Sequence, residues 1–179
     1  MKTYVIILSK QFPQGHRHSG MPTRFRCAYL QGRELCSDCI TQCNYDEDAI
    51  RRMGRTCSRN LWKYRKIHTI RANYALWEKR IREIERAEAC LSIRQWSGKP
   101  YRSPQIEIGR LTRTDGVGIQ KLEIYSPFAI IIDSMLHTPE LEQELAHNDG
   151  LSIGDWRSWF RDEDNQPMAI IHFTDFRYK

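Results

Sequence analysis

The chain has 179 residues, 40% of them apolar and 28% charged, the size and balance of one globular domain. Its longest apolar runs, such as "FAIII" at 128–132, fall far short of the ~20 residues a membrane helix needs. The opening "MKTYVIILSK" lacks the longer apolar stretch and cleavage site of a secretory signal, so a cytoplasmic protein with no membrane association is expected.

The net charge of +6 is unevenly placed. Residues 1–100 hold 20 Lys/Arg and 9 Asp/Glu, whereas residues 101–179 hold 8 and 13. The densest basic block, Arg51 to Lys66, carries seven Lys/Arg and no carboxylate, with Trp62 and Tyr64 interleaved. Cations beside flat aromatic faces suit a polyanion that carries bases.

In chain order, "TYVIILS" (3–9) predicts a strand, followed by an irregular Gly/Pro loop that contains His16, Arg17 and His18. "TRFRCAYLQG" predicts a short helix ended by Gly32, with Phe25 and Leu30 toward its inner face. Residues 33–60 are polar and cysteine-rich and are expected to be an insertion into a single domain spanning 1–179. Lys66 to Ala72 resumes that domain. Residues 73–88 predict a helix capped by Asn73, with Trp77, Ile81 and Ile84 at helical spacing. Strands are expected at 89–96 and 105–111, then a turn with a hairpin signal at Asp115-Gly116, then strands at 119–126 and 128–134. Thr138 as cap, Pro139 at the first position and Gly150 as stop frame a further helix. Ser152 and Asp155 open a second one with a capping-box spacing. The run 167–176 closes the chain as a strand. Short scattered strands without regular βαβ alternation predict an α+β fold: a small, mostly antiparallel barrel with flanking helices.

Six cysteines are present, and a reducing compartment would keep them as thiols. Cys36, Cys39, Cys43 and Cys57 offer four thiolates for a structural zinc, which would staple an insertion that lacks its own core. Buried thiols on a short helix are the plainer alternative. Cys27 and Cys90 are expected in the core.

"KIHTIR" (66–71) contains Lys66-x-x-Thr69-x-Arg71. Leading into a β-rich region, it resembles the G-x-K-x-x-T-x-R signature of the ASCH family, with Tyr64 at the glycine position. "LAHNDGLSIGDWRSWF" (145–160) followed by "MAIIHF" is similar to the family's C-terminal helix, acidic-Gly turn, second helix and final strand. "HRHSGMPTRF" looks like the start of a larger phage or bacterial variant. The resemblance implies a PUA-like barrel and binding of RNA or a modified nucleotide. Some small bacterial members are amidohydrolases that deacetylate acetylcytidine, using the signature Lys and Thr with a carboxylate before the C-terminal helix. Carried onto this chain, those are Lys66, Thr69 and Asp149, the last standing where the family usually has Glu. A phage-type accessory protein whose insertion docks a protein partner is the third reading.

Amide hydrolysis by such a set has its own requirements. A Thr hydroxyl needs a neighbour to take its proton, and a Lys can do so only when neutral, which requires burial or a nearby cation. In a regular strand, residues three apart face opposite ways, so convergence of Lys66 and Thr69 requires a kink near His68. Arg71, on the face of Thr69, is expected to add local positive charge. Further candidate ligand contacts are Arg94, Trp96, Lys99 and Tyr101, offering cations and aromatic faces for phosphate and base, and His18 at the pocket mouth. A solvated loop and core packing are the plainer readings of these positions.

Overall fold

A computed structural model of the chain describes residues 1–35, 65–125, 129–137, 139–160 and 166–179. Among the described residues, eight strands and four α-helices form an α+β fold with two separate sheets. The first sheet holds β1 (Lys2–Ile7), β3 (Ala89–Trp96) and β4 (Gln105–Leu111) in the order β1-β3-β4. β1 runs parallel to β3, Lys2 beside Ala89 and Ile7 beside Arg94. The second sheet is antiparallel and has the order β2-β8-β5-β6-β7. Its strands are β2 (His68–Ala72), β8 (Met168–His172), β5 (Gly118–Tyr125), β6 (Ala129–Ile132) and β7 (Met135–His137).

The closed barrel expected from sequence is therefore not formed: the described strands make two open sheets. The turn after β4 explains the difference. Thr112 to Gly116 was expected to close a hairpin, but β4 and β5 belong to different sheets. Instead Arg113–Asp115 form a single 3₁₀ turn, and the Asp115 carboxylate accepts from the Thr112 backbone N–H at 2.8 Å and from the Arg33 guanidinium at 2.6 Å. A turn tied back on itself in this way hands the chain to a second sheet instead of folding it onto β4. Conversely, the run expected as one strand at 128–134 breaks at Asp133-Ser134. Both residues have positive φ (48° and 71°), the geometry of a two-residue hairpin turn, and β7 returns from it along β6.

The helix α2 (Tyr74–Glu85) packs against β3 of one sheet and against β5 and β8 of the other. Its buried face is Trp77, Ile81 and Ile84, the spacing that a helix stripe requires. Asn73 caps it, its side chain accepting from Leu76 N–H at 3.1 Å at φ 64°. Asn tolerates that left-handed backbone and supplies the cap oxygen together. Asn73→Ala loses both, an expected cost of about 1–2 kcal/mol, read as a fall of roughly 2–8 °C in the thermal midpoint.

β8 is buried at all five residues, as a central strand covered on both faces should be. In the first sheet the β3–β4 register slips between Ile93 and Arg94, where Ile93 faces Gly109 and Arg94 faces Glu107, a bulge that leaves Ile108 extra. Gly109 serves a close approach: a Cβ there would sit 2.1 Å from the hydroxyl of buried Tyr29. Tyr29 lies on α1 (Phe25–Gly32) beside buried Phe25 and Ala28, with Leu30 packed at the core's margin. The remaining helices are α3 (Pro139–Asn148) and α4 (Ile153–Phe160). No helix among the described residues is long and apolar enough to cross a membrane.

The expected insertion falls almost wholly outside the described residues, and with it Cys36, Cys39, Cys43 and Cys57. Its flanks do meet. Lys66 N–H donates to Ala28 carbonyl oxygen at 2.9 Å, and a Cβ on Gly32 would lie 2.7 Å from the Lys66 carbonyl oxygen.

Candidate functional site

The backbone bends where the site needs it. Lys66 forms an isolated antiparallel bridge with Asp149, Ile67 is a bend, and β2 starts at His68. Ile67 N–H donates to Asn148 carbonyl oxygen at 2.9 Å, and its own carbonyl accepts from Phe173 N–H at 2.8 Å. The kink is thus clamped from α3 on one side and from the end of β8 on the other. It lets Lys66 and Thr69, three residues apart, line one cleft together with Arg71 and Asp149. Leu8, Ser9, Phe25, Ile70, Trp159 and Phe160 complete the walls. The void within the cleft measures about 20 Å³, room for one water-sized group.

Lys66 and Asp149 are separated by 83 positions in sequence and touch in space. The Lys66 ammonium donates to the Asp149 carboxylate Oδ1, and to the Asp149 carbonyl oxygen at 2.7 Å. It also sits 4.1 Å from the centroid of the Phe25 ring. Lys66, Thr69 and Asp149 expose only 1%, 3% and 3% of their surface. Gly150 follows Asp149 at φ 80°, which turns the chain out of α3 and into α4.

Burial dominates the electrostatics. It pulls the Lys66 ammonium below its ordinary range, against the opposing pull of Asp149, and Arg71 adds a smaller push in the same direction as burial. Burial pushes the Asp149 carboxyl up, against the influence of Lys66 and Arg71. The two shifts run toward each other, burial favouring the neutral form of each partner and their mutual contact favouring the charged form. The Arg71 guanidinium donates to the Ile7 carbonyl oxygen at 2.7 Å, which ties β2 to the end of β1.

Three residues that sequence reasoning passed over stand behind this pair. His68 Nδ1 lies 3.9 Å from Asp149 Oδ1, and its Nε2 is 2.8 Å from the Tyr178 hydroxyl. That hydroxyl accepts from the Asn148 amide at 3.0 Å. With the Tyr178 proton directed at His68 Nε2, His68 Nδ1 faces Asp149 across 3.9 Å without a hydrogen bond to it. Burial, with His172 and Lys66 nearby, holds the His68 imidazole well below its ordinary 6.5, and so neutral. A hydrogen-bonded chain therefore runs from Asn148 through Tyr178 to His68, whose Nδ1 side faces the Lys66–Asp149 pair. His68 lies inside the "KIHTIR" motif and was within reach of sequence reasoning; the penultimate Tyr178 gave no signal.

The other expected contacts separate from the cleft. The Arg94 side chain is engaged by Ser92 (Nε to Oγ, 2.8 Å) and by Glu107 at 3.8 Å. Trp96, Lys99 and Tyr101 lie at the end of β3 and in the loop beyond it. His18 pairs with Asp155, Nδ1 to Oδ1 at 2.9 Å. His16, His18 and Asp155 place ligand atoms within 4.8 Å of one another, a cluster not anticipated as a metal set. Their lone pairs are largely committed, however. His16 Nδ1 accepts from His18 N–H at 3.0 Å and its Nε2 meets the Asp155 carbonyl oxygen at 3.0 Å. Asp155 Oδ1 also accepts from Arg17, and Oδ2 from Ser152. The cluster fastens the Gly/Pro loop to the first turn of α4, where the Ser152 hydroxyl accepts from Asp155 N–H as an N-cap and donates to the Asp155 carboxylate, so that only half of the expected capping box forms. In turn, Phe12 and His16 pack on Trp159, with ring centroids 5.7 and 5.8 Å away, and Phe25 lies 5.6 Å from the same ring. The loop thereby positions an aromatic wall of the cleft. Of the remaining cysteines, Cys90 is buried as expected, and Cys27 is only partly so.

Comparison with family models, curated proteins and solved structures finds no match, and the reading of the site rests on its own residues.

Proposed function

We propose that the chain is an ASCH-type protein, an opened relative of the PUA-like barrel, that binds RNA or a modified nucleotide at the Lys66 cleft. The observation that carries this reading is the convergence of Lys66, Thr69, Arg71 and Asp149 on one recess, from β2 and from the junction of α3 with α4. These are the positions at which the sequence resembles that family. A void of about 20 Å³ admits one small group. The base then lies against the half-buried aromatic rim of Trp159 and Phe160, with only an exocyclic substituent directed inward toward Lys66 and Thr69.

The second reading, deacylation of a nucleoside such as acetylcytidine, is favoured by the protonation states that burial promotes. A neutral Lys66 can accept the Thr69 hydroxyl proton as that oxygen bonds to the amide carbon. A protonated Asp149 can give its proton to the leaving nitrogen as the C–N bond breaks. Water then cleaves the acyl-threonine ester, releasing the acid, and the pair regains its starting protons. Chromatography of acetylcytidine incubated with the wild type, Thr69→Val and Lys66→Ala tests it. Conversion to cytidine by the wild type, reduced at least 100-fold in Thr69→Val, is the result expected of an enzyme. No conversion by any of the three excludes this substrate and leaves the binding reading.

A further inference from the structure

The loop between β3 and β4 is built to hold a large aromatic ring in solvent. Tyr101 is 90% exposed, and its ring centroid lies 5.3 Å from that of the half-buried Trp96 at a 52° tilt. Its backbone has φ 61°, a conformation that is costly for a bulky side chain and persists only when the surroundings impose it. Here they do. Ser97 N–H donates to Pro104 carbonyl oxygen at 2.9 Å, Arg102 N–H to Lys99 carbonyl oxygen at 3.1 Å, and the Ser103 hydroxyl joins Gly98 N–H to the Lys99 carbonyl. The structure thus bears strain at a position where Gly would bear none, and the outcome is an outward-facing ring beside a Trp.

The charge around this pair is of one sign. Lys99 and Arg102 flank Tyr101 and are exposed, and residues 97–104 contain no carboxylate. Lys10 reaches across from the end of β1 to the Ser97 carbonyl oxygen at 3.0 Å. Glu107, further along β4, is already engaged by Ser92, Arg94 and Arg110. The platform and the cleft are linked through the backbone of the first sheet. β1 and β3 run out in parallel, Leu8 N–H donates to the Arg94 carbonyl at 2.8 Å, and Leu8 and Ser9 are themselves cleft walls.

We propose that Trp96 and Tyr101 form a base-stacking platform for a single-stranded polynucleotide, whose phosphates lie against Lys10, Lys99 and Arg102. It deepens the nucleotide reading of the cleft, on which it rests, by making the nucleoside that the cleft takes one residue of a strand. Aromatic faces supply sequence-tolerant stacking, and the cations follow the backbone. A duplex keeps its bases stacked within itself and cannot use the platform.

Fluorescence anisotropy with a labelled strand of about twelve nucleotides, as RNA, as DNA of the same sequence and as duplex, tests the inference. The wild type is expected to bind a single strand in preference to the duplex, and the RNA and DNA arms tell which polymer it takes. Tyr101→Ala should weaken single-strand binding about ten-fold, Tyr101→Phe should retain it, and Lys99→Ala with Arg102→Ala should flatten its salt dependence. Because Tyr101 is exposed, loss of fold does not confuse the result. Binding that is equally tight in Tyr101→Ala overturns the platform, as does a wild type that ignores single strands. Titration of the wild type with acetylcytidine alone reports on the cleft separately. A nucleoside response without strand binding sinks only the platform, and strand binding that needs Tyr101 without a nucleoside response counts against the cleft.

Discussion

Lys66→Met is expected to cost about 3–5 kcal/mol of folding stability, and Asp149→Leu a similar amount. Each side chain is almost fully buried and each is the other's partner. Removing one leaves the other to carry an uncompensated charge in the interior, or to neutralise at the expense of its hydrogen bonds. The double variant Lys66→Met/Asp149→Leu should recover most of the loss, because it removes the orphan together with its partner. Denaturant unfolding of the four proteins checks this as a double-mutant cycle. Single variants with the wild-type midpoint, or a double variant as unstable as the two losses summed, would show that the pair is not coupled. A pair so costly to bury fits a site better than a framework. A hydrophobic pair would hold the bend at Ile67 equally well, but would neither bind nor move a proton.

The protein should also lose stability steeply as the pH falls below about 6.5. Burial, with a smaller push from Arg177, takes the His172 imidazole down to about 3, and His68 is likewise held well below 6.5. The two face each other in register across β2 and β8, with ring centroids 5.8 Å apart. A folded-state value below the unfolded one means that the unfolded chain binds more protons. The stabilisation is complete above about pH 7 and is lost progressively between about 6.5 and 3. For His172 the slope is about 1.4 kcal/mol per pH unit in that window, roughly 3 kcal/mol by pH 4.5, and His68 adds to the loss in the same direction. Chemical denaturation at a series of pH values should show this slope, and His172→Leu should reduce it. A slope unchanged by His172→Leu would place the acid sensitivity elsewhere. Elsewhere in the fold the carboxylates Glu107 and Asp155, held low by their own partners, add to the loss below about pH 4.

Much of the local structure could be read from residue order. β3 and β4 start and stop where alternation and flanking turn residues put them, and Asn73, Gly150 and Ser152 terminate or open helices as their chemistry dictates. What could not be read was pairing across distance. The parallel partnership of β1 with β3 joins strands more than 80 residues apart, and no hydrophobic period encodes it. The Asp115-Gly116 dipeptide carries a hairpin signal, but the Asp115 carboxylate serves Thr112 and Arg33 instead. The true hairpin turn, Asp133-Ser134, lacks the glycine that would have announced it. The site follows the same division. Lys66, Thr69 and Arg71 could be named from one hexapeptide, and Asp149 from its place before a helix. Their convergence depended on a bend at Ile67 that no residue type specifies, and His68 joined the site only through Tyr178 at the far end of the chain.

The most direct measurement is a calorimetric titration of acetylcytidine into the wild type and into Thr69→Val. That variant keeps the side-chain volume and leaves the Lys66–Asp149 pair in place. The expected result is a saturable heat for the wild type, from binding or from turnover, and a response at least ten-fold weaker for Thr69→Val with unchanged circular dichroism. A wild type that gives no saturable heat, or a Thr69→Val that responds as the wild type does, would contradict the assignment of this cleft as the nucleoside site.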